Sequence, residues 1–132
     1  MPERSVWIVR GALVYLCAGV TLGTLLLVDK GLGIGSRIWL YRPLHVEFLF
    51  FGWMVQLVFG VASWILPSAP SRQSDLPLLA ACAALNVGLW LAGWGAVGGA
   101  TGVLFVGRVT EAVSVALFAA YVWPRVRAFA RA

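Results

Sequence analysis

The chain has 132 residues, 61% of them hydrophobic and 11% charged, with a mean hydropathy of +0.91 and a formal net charge of +5. Soluble domains carry about 25% charged residues, so the composition excludes an ordinary water-soluble domain. It points instead to an all-α membrane protein, read as a single domain over residues 1–132. The basic excess does not signal nucleic acid: the arginines flank the apolar runs, where membrane topology needs them, and no basic cluster with interleaved aromatics accompanies them.

Four runs approach the ~20 residues that a helix needs to cross a bilayer. The first is Val6–Val28, and the charge pair and glycine of Asp29-Lys30-Gly31 are expected to stop it. With Arg4 and Arg10 around its start it is similar to a signal segment, and it is expected to be retained as an anchor. Gly19 and Gly23 form a small-xxx-small spacing that permits close helix approach. Leu32–Arg42 reads as a connector whose Trp39 and Tyr41, beside Arg37 and Arg42, suit the membrane–water boundary. Pro43 fits the first turn of a second helix, Pro43–Leu66, ended by Pro67.

Ser68–Asp75 is a polar turn, followed by a third span, Leu76–Trp94, rich in alanine and carrying Asn86 near its middle. Gly95–Gly102 is expected to be a glycine turn, and Val103–Trp123 the fourth span, with Pro124 and a basic tail of Arg125, Arg127 and Arg131 after it. The expected fold is therefore a four-transmembrane-helix bundle running up-down-up-down. An even number of spans places both termini on one side, with Arg4, Arg10, Arg72, Arg125, Arg127 and Arg131. Lys30, Arg37, Arg42 and Arg108 fall on the other. That bias favours a multi-pass protein of a bacterial or archaeal plasma membrane with both termini in the cytoplasm.

Few residues can carry chemistry. Cys17 and Cys82 lie singly in apolar runs and read as small hydrophobes. His45, the one histidine, sits in the first turn of the second helix. Positions three and four apart continue its stripe through Leu49, Gly52, Gln56, Phe59 or Gly60, and Ser63, flanked by Phe48, Phe50, Phe51 and Trp53. Small residues walled by aromatics describe a groove that could take a flat macrocycle, with neutral imidazole as a metal ligand. The alternative is an interfacial histidine bonded to a carbonyl or water. Glu47 and Arg108 enter their helices from the same face at similar depth, so a cross-helix ion pair is expected, with Glu111 as a competing partner one turn along. Gln56 and Asn86 also suit interhelical hydrogen bonding.

Arg42-Pro43-Leu44-His45, followed by Phe51-Gly52-Trp53, Gly60-Val61-Ala62 and Leu66-Pro67, resembles the second transmembrane helix of haem-copper oxidase subunit I. The likeness is to the C-family oxidases, the nitric oxide reductases and the small four-helix proteins related to them. It implies haem b as cofactor, His45 as the iron ligand and Arg42 or Arg37 as propionate partners; the stripe and flanks read above would then set Gly52, Trp53 and Gln56 along the macrocycle. Many small relatives carry histidine where this chain has Glu47. The large members take their second ligand and copper ligands from later helices. With a single histidine this chain lacks the donors for a binuclear centre, so it is not expected to reduce oxygen or nitric oxide alone. One histidine leaves two arrangements: a homodimer sharing one haem between two His45 side chains, or one five-coordinate haem per protomer with a gas-binding face. The expected role is electron transfer or haem and gas binding. A haem-free accessory or assembly subunit of a respiratory complex is the alternative. A small multidrug transporter fits less well, because the first span has no acid before Asp29.

Overall fold

The structure is a computed structural model that describes residues 3–35, 37–66 and 74–129, with side chains described to residue 126. The described residues are helical, with no strand among them, and include four helices long and apolar enough to cross a membrane. Helix α1 spans Glu3–Leu32. The second span, Arg37–Ile65, is built from a 3-10 turn, Arg37–Tyr41, then α2, Arg42–Glu47, a π-helical stretch, Phe48–Val55, and α3, Gln56–Ile65. Helix α4 covers Leu76–Val97 and α5 covers Thr101–Phe129.

Several boundaries differ from the sequence reading; the second span already starts within the expected connector, at the 3-10 turn Arg37–Tyr41. Helix α1 begins at Glu3 and runs through Asp29-Lys30-Gly31. It closes at Gly33, whose φ of 62° is open to glycine and whose N–H donates to the Asp29 carbonyl at 3.0 Å. A charge pair alone does not end a helix that still has water or partners for its charges. The glycine turn between α4 and α5 shrinks to Gly98–Ala100, with Gly99 at φ 68°. Gly95 and Gly102 stay helical. Pro124 does not end the fourth helix, which continues to Phe129; proline interrupts one backbone bond, and long apolar helices tolerate that loss. The Pro67 stop, most of the Ser68–Asp75 turn with Arg72, and the side chains of Arg127 and Arg131 lie outside the described residues.

Packing follows the placement of small residues. Helices α4 and α5 meet backbone to backbone: a Cβ on Gly95 would stand 2.5 Å from the Leu104 nitrogen, and one on Gly107 would collide with Ala92. That close approach maximises dispersion contact where no hydrophobic effect drives helices together. Helix α1 lies along the second span, which in turn contacts α4. Phe59 stacks on Phe118 across the interior, 3.9 Å between ring centroids, beside buried Ile8, Leu78 and Leu85. Outward positions are apolar: Leu27, Ile65 and Phe105 are each about two-thirds exposed or more. In water this arrangement would be inverted. Trp7, Trp64 and Trp123 are exposed near one end, and Trp39, Tyr41 and Trp94 near the other.

Contacts between ends define the frame. One end gathers Arg4, paired with Asp75, Ser5 bonded to Ser63 at 3.0 Å, and Tyr121, which donates to Asp75 at 3.3 Å. Arg125 lies 4.1 Å over the Tyr121 ring. The opposite end holds His45, Glu47 and Arg108.

Candidate functional site

Two polar constellations flank α2. The first is His45. Its Nδ1 lies 2.8 Å from the Gly19 carbonyl oxygen of α1. A carbonyl can only accept, so Nδ1 is the donor, and in neutral imidazole Nε2 is then the lone-pair nitrogen. The ring fits a notch made by two α1 glycines. A Cβ on Gly23 would stand 2.5 Å from Cε1 and 3.0 Å from Nδ1, and one on Gly19 would meet Leu49 at 2.6 Å. The Gly19–Gly23 spacing therefore seats one imidazole and one leucine from the neighbouring helix. A backbone carbonyl on one ring nitrogen orients the other, which is how metal-ligating histidines are commonly held.

Beside His45 runs an open groove of about 330 Å³, lined by His45, Val46, Leu49, Phe50, Trp53 and Met54. Its walls are almost wholly apolar; His45 and Trp53 are the lining residues whose side chains carry nitrogen. Of the residues that sequence reading gathered here, His45 and Trp53 line this groove. Arg42 does not: it lines a neighbouring groove with Pro43, Val46, Glu47 and Arg108, so Val46 separates the two. Arg37 is exposed on the 3-10 turn.

Gly52 and Gln56 face elsewhere. The stripe Leu49, Gly52, Gln56, Gly60, Ser63 does form one side of the second span, but α1 fills it. Tyr15 packs on Gly52, Gly11 on Gln56, Ile8 and Val9 on Gly60, and Ser5 on Ser63. The groove expected there for a macrocycle is a helix–helix contact, because small residues gain more from a packed helix than from lipid. Gln56 is instead part of a closed network. Its Nε2 donates to the Ile8 carbonyl at 3.3 Å, and its Oε1 accepts from Asn86 at 3.0 Å. Asn86 also donates to the Cys82 carbonyl and accepts from the Tyr15 hydroxyl at 2.7 Å, while Trp90 donates to that hydroxyl at 3.1 Å. Tyr15 and Trp90 carried no sequence signal for this role; each is an aromatic in an apolar run.

The second constellation joins α2 to α5. Arg108 Nη2 lies 2.5 Å from Glu47 Oε1, and Nη1 reaches Glu47 Oε2 at 3.2 Å and Glu111 Oε2 at 2.9 Å. The expected pair and its expected competitor thus coexist on one guanidinium. Glu47 and Glu111 are 1% and 2% exposed, whereas the Arg108 side chain is 46% exposed. Phe51 of the π-helical stretch lies 5.7 Å from the guanidinium carbon. Local π-helix widens the turn and is common at functional positions; here it lies immediately after both His45 and Glu47.

Comparison with protein-family models, with curated proteins and with solved structures finds no match.

Proposed function

We propose that the chain crosses a bilayer four times, up-down-up-down, and binds a b-type haem at the outward groove of its second span, with His45 as iron ligand. The observation that carries this reading is the tautomer lock on His45: its Nδ1 proton is committed to the Gly19 carbonyl, and the ring borders an apolar groove. That is the donor chemistry a haem iron requires. Phe50, Trp53 and Met54 would cover the macrocycle, and the exposed Arg42, across Val46, would face its propionates. Once bound, haem supplies one-electron redox chemistry or a gas-binding iron. The groove is open on one side, which supports a homodimer in which a second copy closes it and contributes its own His45. In the sequence, Arg4, Arg10, Arg72, Arg125, Arg127 and Arg131 on one side against Lys30, Arg37, Arg42 and Arg108 on the other support cytoplasmic termini in a bacterial or archaeal plasma membrane.

A second reading has two observations in its favour, the first being that His45 bonds the Gly19 carbonyl, as the interfacial alternative expects. The interior network of Tyr15, Asn86 and Gln56 closes with no cofactor, and α1 occupies the small-residue face. This suits a haem-free accessory or assembly subunit of a respiratory complex. Visible spectra of the purified protein, oxidised and reduced, with a pyridine haemochrome assay, separate the two. A Soret band abolished by His45→Ala supports haem binding. A folded wild-type protein that stays colourless after expression with ample haem supply refutes it.

A further inference from the structure

The Glu47–Arg108–Glu111 cluster holds two carboxyl groups on one cation, inside a segment apolar enough to cross a membrane. Fully ionised it would carry one net negative charge, with both carboxyl groups buried. Its second carboxyl oxygen on α5, Glu111 Oε1, is buried and has no hydrogen-bond partner among the described residues. A buried anionic oxygen left unpaired is far costlier than a neutral one, and two carboxylates that share a site do not both ionise cheaply. Among the described residues, Arg108 is the cation paired with both acids. Helix α4 presents Gly88 to Glu111 and Gly93 to Glu47, and the π-helical stretch presents Phe51. A groove of about 260 Å³ beside the cluster is lined by Arg42, Pro43, Val46, Glu47 and Arg108, with Arg42 exposed.

We propose that this cluster is a proton-binding site: one exchangeable proton resides on the Glu111 carboxyl and exchanges with the groove that Glu47 and Arg108 line. Binding forms one O–H bond on Glu111 and takes the cluster from one net negative charge to zero; release returns the proton to water at the groove mouth. Arg108 is the hinge of the arrangement, since its half-exposed guanidinium touches both acids and the groove. Glu47 is a positioning residue: its two contacts to Arg108 hold the guanidinium that Glu111 would otherwise claim for itself. The site is complete in the chain alone and does not depend on a haem at His45.

Infrared spectroscopy of the purified chain in lipid nanodiscs tests this, with no cofactor required. The wild type is expected to show a protonated-carboxyl stretch at neutral pH that shifts in D2O and converts to carboxylate as pH rises. Glu111→Gln removes the band by one carboxyl per chain. Glu47→Gln removes it too, because with one acid neutralised the other forms an ordinary ion pair with Arg108. A cluster that is fully ionised from about pH 5 to 9, or a band unchanged in both variants, overturns the proposal. Should Glu111→Gln fail to fold, the wild-type titration together with Glu47→Gln decides alone.

Discussion

Gly23→Ala isolates the seat of His45. The added Cβ would lie 2.5 Å from Cε1 and 3.0 Å from Nδ1, against an optimum of about 3.5–4.0 Å for non-bonded atoms. The ring must retreat by about 1 Å, and the 2.8 Å bond to the Gly19 carbonyl then passes the limit at which it counts as a hydrogen bond. Overpacking costs about 1–3 kcal/mol, and the lost bond adds about 0.6 kcal/mol on the scale measured between membrane helices. Set against the roughly 0.5–1 kcal/mol that alanine gains over glycine in a helix, the expected destabilisation is about 1–3 kcal/mol, or roughly 5- to 150-fold in the unfolding equilibrium. In a His45→Ala background the obstacle is gone, and the same substitution should be neutral or slightly stabilising, since alanine favours helix over glycine by about 0.5–1 kcal/mol. Titration with sodium dodecyl sulfate in mixed micelles, applied to both single variants and the double, measures the coupling. Equal costs of Gly23→Ala in the two backgrounds would refute the notch. If haem binds, Gly23→Ala should also alter the Soret band without removing the ligand.

Other substitutions sort the polar contacts by burial. Asn86→Leu strips partners from Tyr15 and Gln56 together and should cost about 1–3 kcal/mol in the same titration. Gly107→Leu should force α4 and α5 apart, read as loss of the folded species by size-exclusion chromatography, whereas Gly102→Ala, with open space around its Cβ position, should leave it intact. Asp75→Asn breaks the Arg4–Asp75 pair, whose side chains are 54% and 40% exposed, and should cost no more than about 1 kcal/mol, shrinking further in high salt.

The spans were legible because hydropathy is additive along a helix and needs no partner to be read. Equal depth in two helices that start from the same face was enough to bring Glu47 and Arg108 together, and a lone amide in an apolar run was enough to mark Asn86. What could not be read was the identity of the neighbour. Gly19-x-x-x-Gly23 announced a close approach, but nothing local said that an imidazole would occupy it. Gly52 and Gln56 announced a groove, but a groove accepts a helix as readily as a macrocycle, and α1 reached it first. The π-helical turn over Phe48–Val55 contains no proline, and Gly52 alone does not announce it.

The polar groups of the interior form layers, and the layers differ in what they leave unused. At the end holding Arg4, Asp75 and Tyr121, the partly exposed groups pair with one another, and Arg125 lies against the Tyr121 ring. In the middle layer each hydrogen of the Asn86 amide and each amide oxygen of Asn86 and Gln56 is matched, which leaves that layer rigid and chemically inert. Arg125 Nε, at the first end, and two groups in the layer around α2 are not matched in this way. There the lone-pair nitrogen of His45 and the second oxygen of Glu111 keep capacity that the helices themselves do not use. Both sit at the same end of the molecule, on opposite sides of the helix that carries Glu47. A scaffold protein has no reason to retain two such groups in hydrocarbon, where each is costly unless it meets a ligand. Their proximity also makes one physical demand: a charge change at His45 should be felt at Glu111 through Glu47 and Arg108. If haem is bound, its midpoint potential should therefore depend on pH in the wild type, and that dependence should weaken in Glu111→Gln. A potential equally pH-dependent in both would show that the two groups, though neighbours, act separately.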